Sequence, residues 1–212
     1  ARRGADIAFN YLRSHKAAAE TQREIEELGA RCVRVRAHLG NTEMIKRLFV
    51  QVGNEYPKLD ILVNNAASGV QRPAAELDEK HWNWTFNINA KAPWRCAIEA
   101  SRLMVEGGSI VNITSLGSRQ VLPNYFSVGT SKAALEAITR YLAVELAPKG
   151  ISVNAVSGGY VDTEALAHFP NREQMLAAGK QTLLGRMLEA DDVARVVAFL
   201  CSEDAAMIRG QI

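Results

Sequence analysis

No apolar run in the 212-residue sequence approaches the ~20 residues that a membrane-spanning helix needs. The expectation is a chain that does not enter the membrane. Cysteine is scarce: Cys32, Cys96 and Cys201 are odd in number, far apart and without a CxxC spacing. This excludes a disulfide framework and points to reduced thiols in a cytoplasmic compartment, with no metal site expected. Charge of one sign is not in excess either. Lys and Arg total 25 against 23 Asp and Glu, and no basic block occurs. Nucleic acid is therefore not an expected partner. No linker, repeat or low-complexity stretch divides the chain, so residues 1–212 read as one domain. No signal peptide is seen, because the opening ARRGAD already reads as a helix tail, a glycine stop and a strand entry. The closing MIRGQI stops as a strand begins. Both ends are expected to be truncated.

Against these absences stands an ordinary globular composition, 48% apolar and 23% charged. Short β-rich runs at 6–11, 32–38, 59–64, 109–114 and 151–156 are rich in Val, Ile and Leu, as strands buried on both faces require. Helical stretches at 16–28, 42–55, 78–105, 125–146 and 191–201 separate or follow them. Strict alternation predicts an α/β fold, a doubly wound parallel sheet of the Rossmann type. In such a sheet ligands lie beyond the carboxyl ends of the strands. The residues there include Arg13 and Ser14; His38 and Leu39; Asn65 and Ala66; Ser115; and Gly159. This small, polar, glycine-containing set suits a dinucleotide. No GxGxxG loop is present, so in such a fold that loop is expected upstream, with a first strand. Arg13 follows a strand that ends in Asn10 rather than an acid. A cation there suits a 2′-phosphate and so NADPH, although a solvated charge at a helix start reads equally well.

The stretch NYFSVGTSKAALEAITRYLAVELA, residues 124–147, holds the sharpest pair, Tyr125 and Lys132. Seven helical residues turn ~700°, close to two full turns, so both side chains would share a face. That reading takes Asn124 as N-cap and the helix as running from there. A nearby ammonium would favour the phenolate and make the phenol a better proton donor. Ser115, at a strand end, can hydrogen-bond a reacting carbonyl oxygen or simply cap a turn. Asn89 can bind a carbonyl or water behind Lys132, or be satisfied within its own helix.

Taken in order, LDILVNNAAS, NINAKA, GGSIVNITS, TSKAALEAITRYLAVELAPKGISVNAVSGG and DDVARVVAFLCSEDAAMIRGQI resemble the short-chain dehydrogenase/reductase family. Most members carry Tyr-x3-Lys, where this chain has Val128; Tyr125-x6-Lys132 resembles the NADPH-dependent type III enoyl-acyl-carrier-protein reductases (FabL type). Gly158-Gly159 replaces the usual Pro-Gly, and NNAAS the usual NNAG. The resemblance implies reduction of an enoyl thioester carried on acyl carrier protein, in fatty acid synthesis, by a homotetramer built on the long central helices. It implies Tyr125, Lys132 and Ser115 as catalytic residues, Asn89 as a supporting one, and Arg13, Ser14, His38, Leu39, Asn65, Ala66, Lys132, Gly159 and Thr163 around the cofactor. A lid over the acyl chain is expected at 164–184. The alternatives are a carbonyl or alcohol dehydrogenase of the same family, on a sugar or 3-oxoacyl thioester, and a non-catalytic nucleotide-binding module.

Overall fold

In the computed structural model, which describes residues 1–161 and 172–212, the apolar runs form five parallel strands. They are β1 (Ile7–Tyr11), β2 (Cys32–Arg36), β3 (Ile61–Asn64), β4 (Gly108–Ile113) and β5 (Ile151–Val156). The helices are α1 (His15–Glu27), α2 (Thr42–Glu55), α3 (Glu79–Phe86), α4 (Ala92–Ala100), α5 (Phe126–Glu145), α6 (Arg172–Lys180) and α7 (Ala190–Leu200). All six residues of β5 are buried, as a strand covered on both faces must be. On one face Ile45, Phe49, Ala97 and Leu142 pack with Ile110 and Val153; on the other, Leu200, Val193 and Val197 pack with Val111 and Val156. This is the doubly wound α/β arrangement the alternation predicts.

Among the described residues β1 pairs with β2, and β3, β4 and β5 pair in that order, which leaves the facing edges of β1 and β3 unpaired. The facing edges of β1 and β3 border a cavity of about 970 Å³, lined by Ile7, Phe9, Ile61 and Val63 among others. With no backbone partner across it, β3 leaves Ile61 and Val63 exposed. At the far edge the closing residues run beside β5. Gly210 N–H donates to the Val153 carbonyl, and Ala155 N–H to the Gln211 carbonyl, both at 2.8 Å.

Two helix predictions are corrected. The stretch 78–105 is not one helix: α3 and α4 are joined by a π-helical turn, Asn87–Lys91. The side chain of Asn89 takes part in this break, bonding the Ser68 backbone rather than its own helix. The helix expected from Asn124 begins instead at Phe126, with Tyr125 as its N-cap. Asn124 lies at φ 58°, a left-handed conformation that asparagine tolerates better than most residues. By contrast α2 has the predicted bounds. Asn41 caps it, accepting from Glu43 N–H and Met44 N–H.

A buried polar chain crosses this frame. Asn64 Nδ2 donates to Asn112 Oδ1, and Asn112 Nδ2 to Thr139 Oγ1, each at 2.8 Å. Asn112 and Thr139 are almost wholly buried. Asn112→Ala removes both of these bonds at once, leaving Thr139 its bond to the Leu135 carbonyl and Asn64 its bond to the Pro93 carbonyl. It is expected to destabilise the protein by roughly 2–3 kcal/mol, measured by urea unfolding. A change within experimental error would mean that the chain contributes nothing.

Candidate active site

Three elements converge at the carboxyl end of β4: the turn that follows it, the start of α5, and the loop after β3. Ser115 caps a short turn, Leu116–Ser118, its hydroxyl accepting from Gly117 N–H. The Tyr125 hydroxyl stands 3.4 Å from the Ser115 hydroxyl. The structure thus brings together these two separately predicted residues. Glu136, one turn beyond Lys132 on α5, ties the arrangement down. Its buried carboxylate accepts from Thr114 Oγ1 at 3.1 Å and Arg119 Nε at 3.3 Å, and also holds the Ser118 hydroxyl.

Lys132 is also buried. Its ammonium donates to the Ile113 carbonyl at 2.6 Å. Desolvation pushes its pKa down to about 8. Burial raises the pKa of Tyr125, the Ser115 hydroxyl lowers it, and nearby Tyr160 raises it further. The expected activation of the phenol by Lys132 is therefore not what this geometry shows. The ammonium is turned to the strand carbonyl, and desolvation governs the phenol instead. Nor does the site use position 128, one helical turn before Lys132. Val128 is buried, and its Cγ2 would lie 2.5 Å from a β-carbon at Gly69.

The loop after β3 is clamped from below. Asn89 Oδ1 accepts from Ser68 N–H and Asn89 Nδ2 donates to Ser68 O, both at 2.8 Å; Nδ2 also reaches Ser131 Oγ at 3.0 Å. These bonds occupy the Asn89 amide in holding the loop. Asn65 and Ala66 remain exposed and line the cavity between β1 and β3, together with Leu39. His38 is half-buried. It accepts from Gly40 N–H through Nδ1, so a neutral ring carries its proton on Nε2. Arg13 and Ser14 are exposed at the β1–α1 turn. Arg36 Nε and Arg34 Nη1 reach the same turn, donating to the Leu12 and His15 carbonyls. Gly159 lies against Leu188. Thr163, and residues 164–171 of the expected lid, lie outside the described residues. Leu183 and Leu184 are fully exposed.

Four contributors were not singled out by sequence reasoning. Glu136 stands four residues after Lys132, a spacing that marks a shared helix face. Arg34 and Arg36 alternate along β2. Gly117 carries no sequence signal at all.

A phenol and a hydroxyl at a strand end, a buried ammonium on the adjoining helix, and small polar residues at the other strand ends define an oxidoreductase site. The chain belongs to the short-chain dehydrogenase/reductase family: the family described as Enoyl-(Acyl carrier protein) reductase matches residues 1–212. Over 216 residues it is 36% identical to 1-cyclohexenylcarbonyl-CoA reductase of Streptomyces collinus, covering 100% of this chain and 76% of that one. Its structure is similar to an enoyl-(acyl-carrier-protein) reductase of Anaplasma phagocytophilum in complex with NAD, with a TM-score of 0.87 and 28% identity over 99% of this chain and 79% of that one. It is also similar to the angucycline C-6 ketoreductase LanV with bound NADP, with a TM-score of 0.88 and 34% identity over 98% of this chain and 83% of that one.

Lys132 gives a test by titration. Its folded pKa of about 8 lies below the ~10.4 of the unfolded chain. Between those values the unfolded chain binds more protons, so this group's share of stability rises with pH. Lys132→Met removes that term. The difference in unfolding free energy between unliganded Lys132→Met and wild type should shift by about 3 kcal/mol in favour of wild type from pH 7 to pH 10.5. A constant difference would show that the ammonium is not desolvated.

Proposed function

We propose that this enzyme reduces the C2=C3 double bond of a trans-2-enoyl thioester, carried on acyl carrier protein, with NADPH. One observation carries the reading: Tyr125, not the residue at position 128, meets Ser115. In an enoyl thioester hydride adds at C3, and negative charge develops three bonds away, at the thioester oxygen, instead of one bond away as in a ketone. A donor placed nearer the start of α5 suits that displacement. The similarity to a reductase of 1-cyclohexenylcarbonyl-CoA and to an enoyl-(acyl-carrier-protein) reductase supports the same choice.

The residues fit a nicotinamide cofactor. Among the described residues the Lys132 ammonium has one recorded acceptor, the Ile113 carbonyl, which leaves two of its three protons for ribose hydroxyls. Exposed Asn65 and Ala66 follow the carboxyl end of β3. When bound, the reduced nicotinamide supplies the hydride. The protein's own work is then to hold and protonate. Ser115 and Tyr125 hydrogen-bond the thioester oxygen, and Tyr125, kept protonated by its burial, donates its proton there. Asn89 acts through the Ser68 loop. Arg13, with Arg34 and Arg36 around the β1–α1 turn, favours the 2′-phosphate of NADPH.

Exposed Arg72 is backbone-paired with Tyr125 and so stands beside the site. A cation there suits an acidic carrier. Trp94 on α4 and Tyr141 and Val144 on α5 are exposed, which suits a homotetramer built on those helices. Residues 1–212 act as one dinucleotide-binding domain, working in the cytoplasm in fatty acid synthesis.

The rival reading is carbonyl reduction, favoured by the similarity to LanV. A substrate panel separates the two. The protein should oxidise NADPH with a crotonyl thioester, and Tyr125→Phe should lower kcat by roughly 10²–10⁴-fold. Activity on a 3-oxoacyl thioester with none on the enoyl one would overturn the proposal.

A further inference from the structure

The Tyr125 ring lies so close over Gly117 that no side chain fits between them. A β-carbon at Gly117 would stand 2.5 Å from Cδ1 and 2.6 Å from Cε1 of the ring. Non-bonded carbons settle at ~3.5–4.0 Å, so the overlap is about 1 Å. Backbone freedom is not the reason for glycine here. Gly117 is not among the residues with positive φ, so alanine can adopt its conformation.

Which side yields depends on how each is held. The turn is fixed at several points. Ser118 N–H donates to the Ser115 carbonyl and Arg119 N–H to the Leu116 carbonyl, both at 3.0 Å. Glu136 grips Thr114, Ser118 and Arg119. The Gly117 carbonyl is packed on α5, 2.5 Å from where a β-carbon of Gly129 would stand. The ring hangs on rotatable bonds, and its hydroxyl is tethered by one 3.4 Å contact. A methyl at 117 therefore moves the ring. The hydroxyl lies further from the pivot than Cδ1, so it swings further, and its contact with Ser115 is lost.

We propose that Gly117 is a positioning residue: its missing side chain is the seat of the Tyr125 ring and sets the distance of the phenol from Ser115. The catalytic consequence rests on the enoyl thioester reading; the seat itself does not.

Gly117→Ala tests both, and the two can fail separately. The variant is expected to fold, with a melting temperature close to that of wild type. The Tyr125 phenol, assigned in tyrosine-labelled NMR spectra by comparison with Tyr125→Phe, should titrate at lower pH than in wild type, because loss of burial, the larger of the two influences, outweighs loss of the Ser115 hydroxyl. With crotonyl thioester and NADPH, kcat should fall roughly 10²-fold while KM changes little. In the Tyr125→Phe background the same substitution should change kcat by less than about twofold. A folded Gly117→Ala protein with an unchanged Tyr125 titration overturns the seat. So does an equal loss of kcat in the Tyr125→Phe background. A shifted titration in a protein whose wild type reduces no enoyl thioester supports the seat and removes the proposed function. Should Gly117→Ala not fold, Tyr125→Ala is added to it. Recovery of folding identifies the ring as the obstacle, and continued unfolding overturns the proposal.

Discussion

A carboxylate held away from water organises the active end of this molecule. Glu136 lies on α5, yet its partners Thr114, Ser118 and Arg119 all belong to the segment that leaves β4. Burying a charge costs free energy unless hydrogen bonds replace its hydration. Here two hydroxyls and a guanidinium do so, and strand and helix are thereby locked in one relative position. Ser115 and Gly117 sit inside the locked segment, and Tyr125 is set down on it. The hydroxyl pair is a product of this junction more than of either element alone.

The same burial acts in opposite directions on the two titrating groups beside it. It holds Tyr125 protonated, because a phenolate there would be poorly solvated. It weakens the hold of Lys132 on its proton. An acid that stays neutral until charge appears on its partner is suited to donate at that moment. In a water-poor pocket the new charge also interacts more strongly with the hydroxyls around it. The predicted picture, in which the ammonium primes the phenol directly, gives way to one in which both groups are governed by their common desolvation.

Much of the frame was legible in the chain. Ile151–Val156 is a strand with the expected bounds because a continuous apolar run has few other uses. The start of α2 is marked by Asn41. Tyr125 and Lys132 were legible as a pair from their spacing, and Ser115 as a separate candidate from its place at a strand end. What could not be read has physical causes. Helical periodicity is nearly the same with or without one wide turn, so 78–105 looked continuous. The two-turn spacing of Tyr125 and Lys132 presumed a helix that already includes Tyr125, whereas left-handed Asn124 delays it to Phe126. A charge inside an amphipathic helix reads as solvated, which hid Glu136. Gly117 matters through the Tyr125 ring that lies over it, so its role appears only once the phenol is in place.

The wide turn at Asn87–Lys91 sets the rotational phase of the helix after it. An extra residue per turn delays every later side chain by a fraction of a circle. Upstream of the turn, Thr85 is wholly buried; downstream, Ala92, Cys96, Ala97 and Ala100 join the core that includes Ile45 and Phe49 of α2. Without the delay these two stripes would not both find their partners along a straight rod. The turn therefore works as a gear between two packing surfaces, and the amide of Asn89, spent on a neighbouring loop, is the tooth that holds it in place.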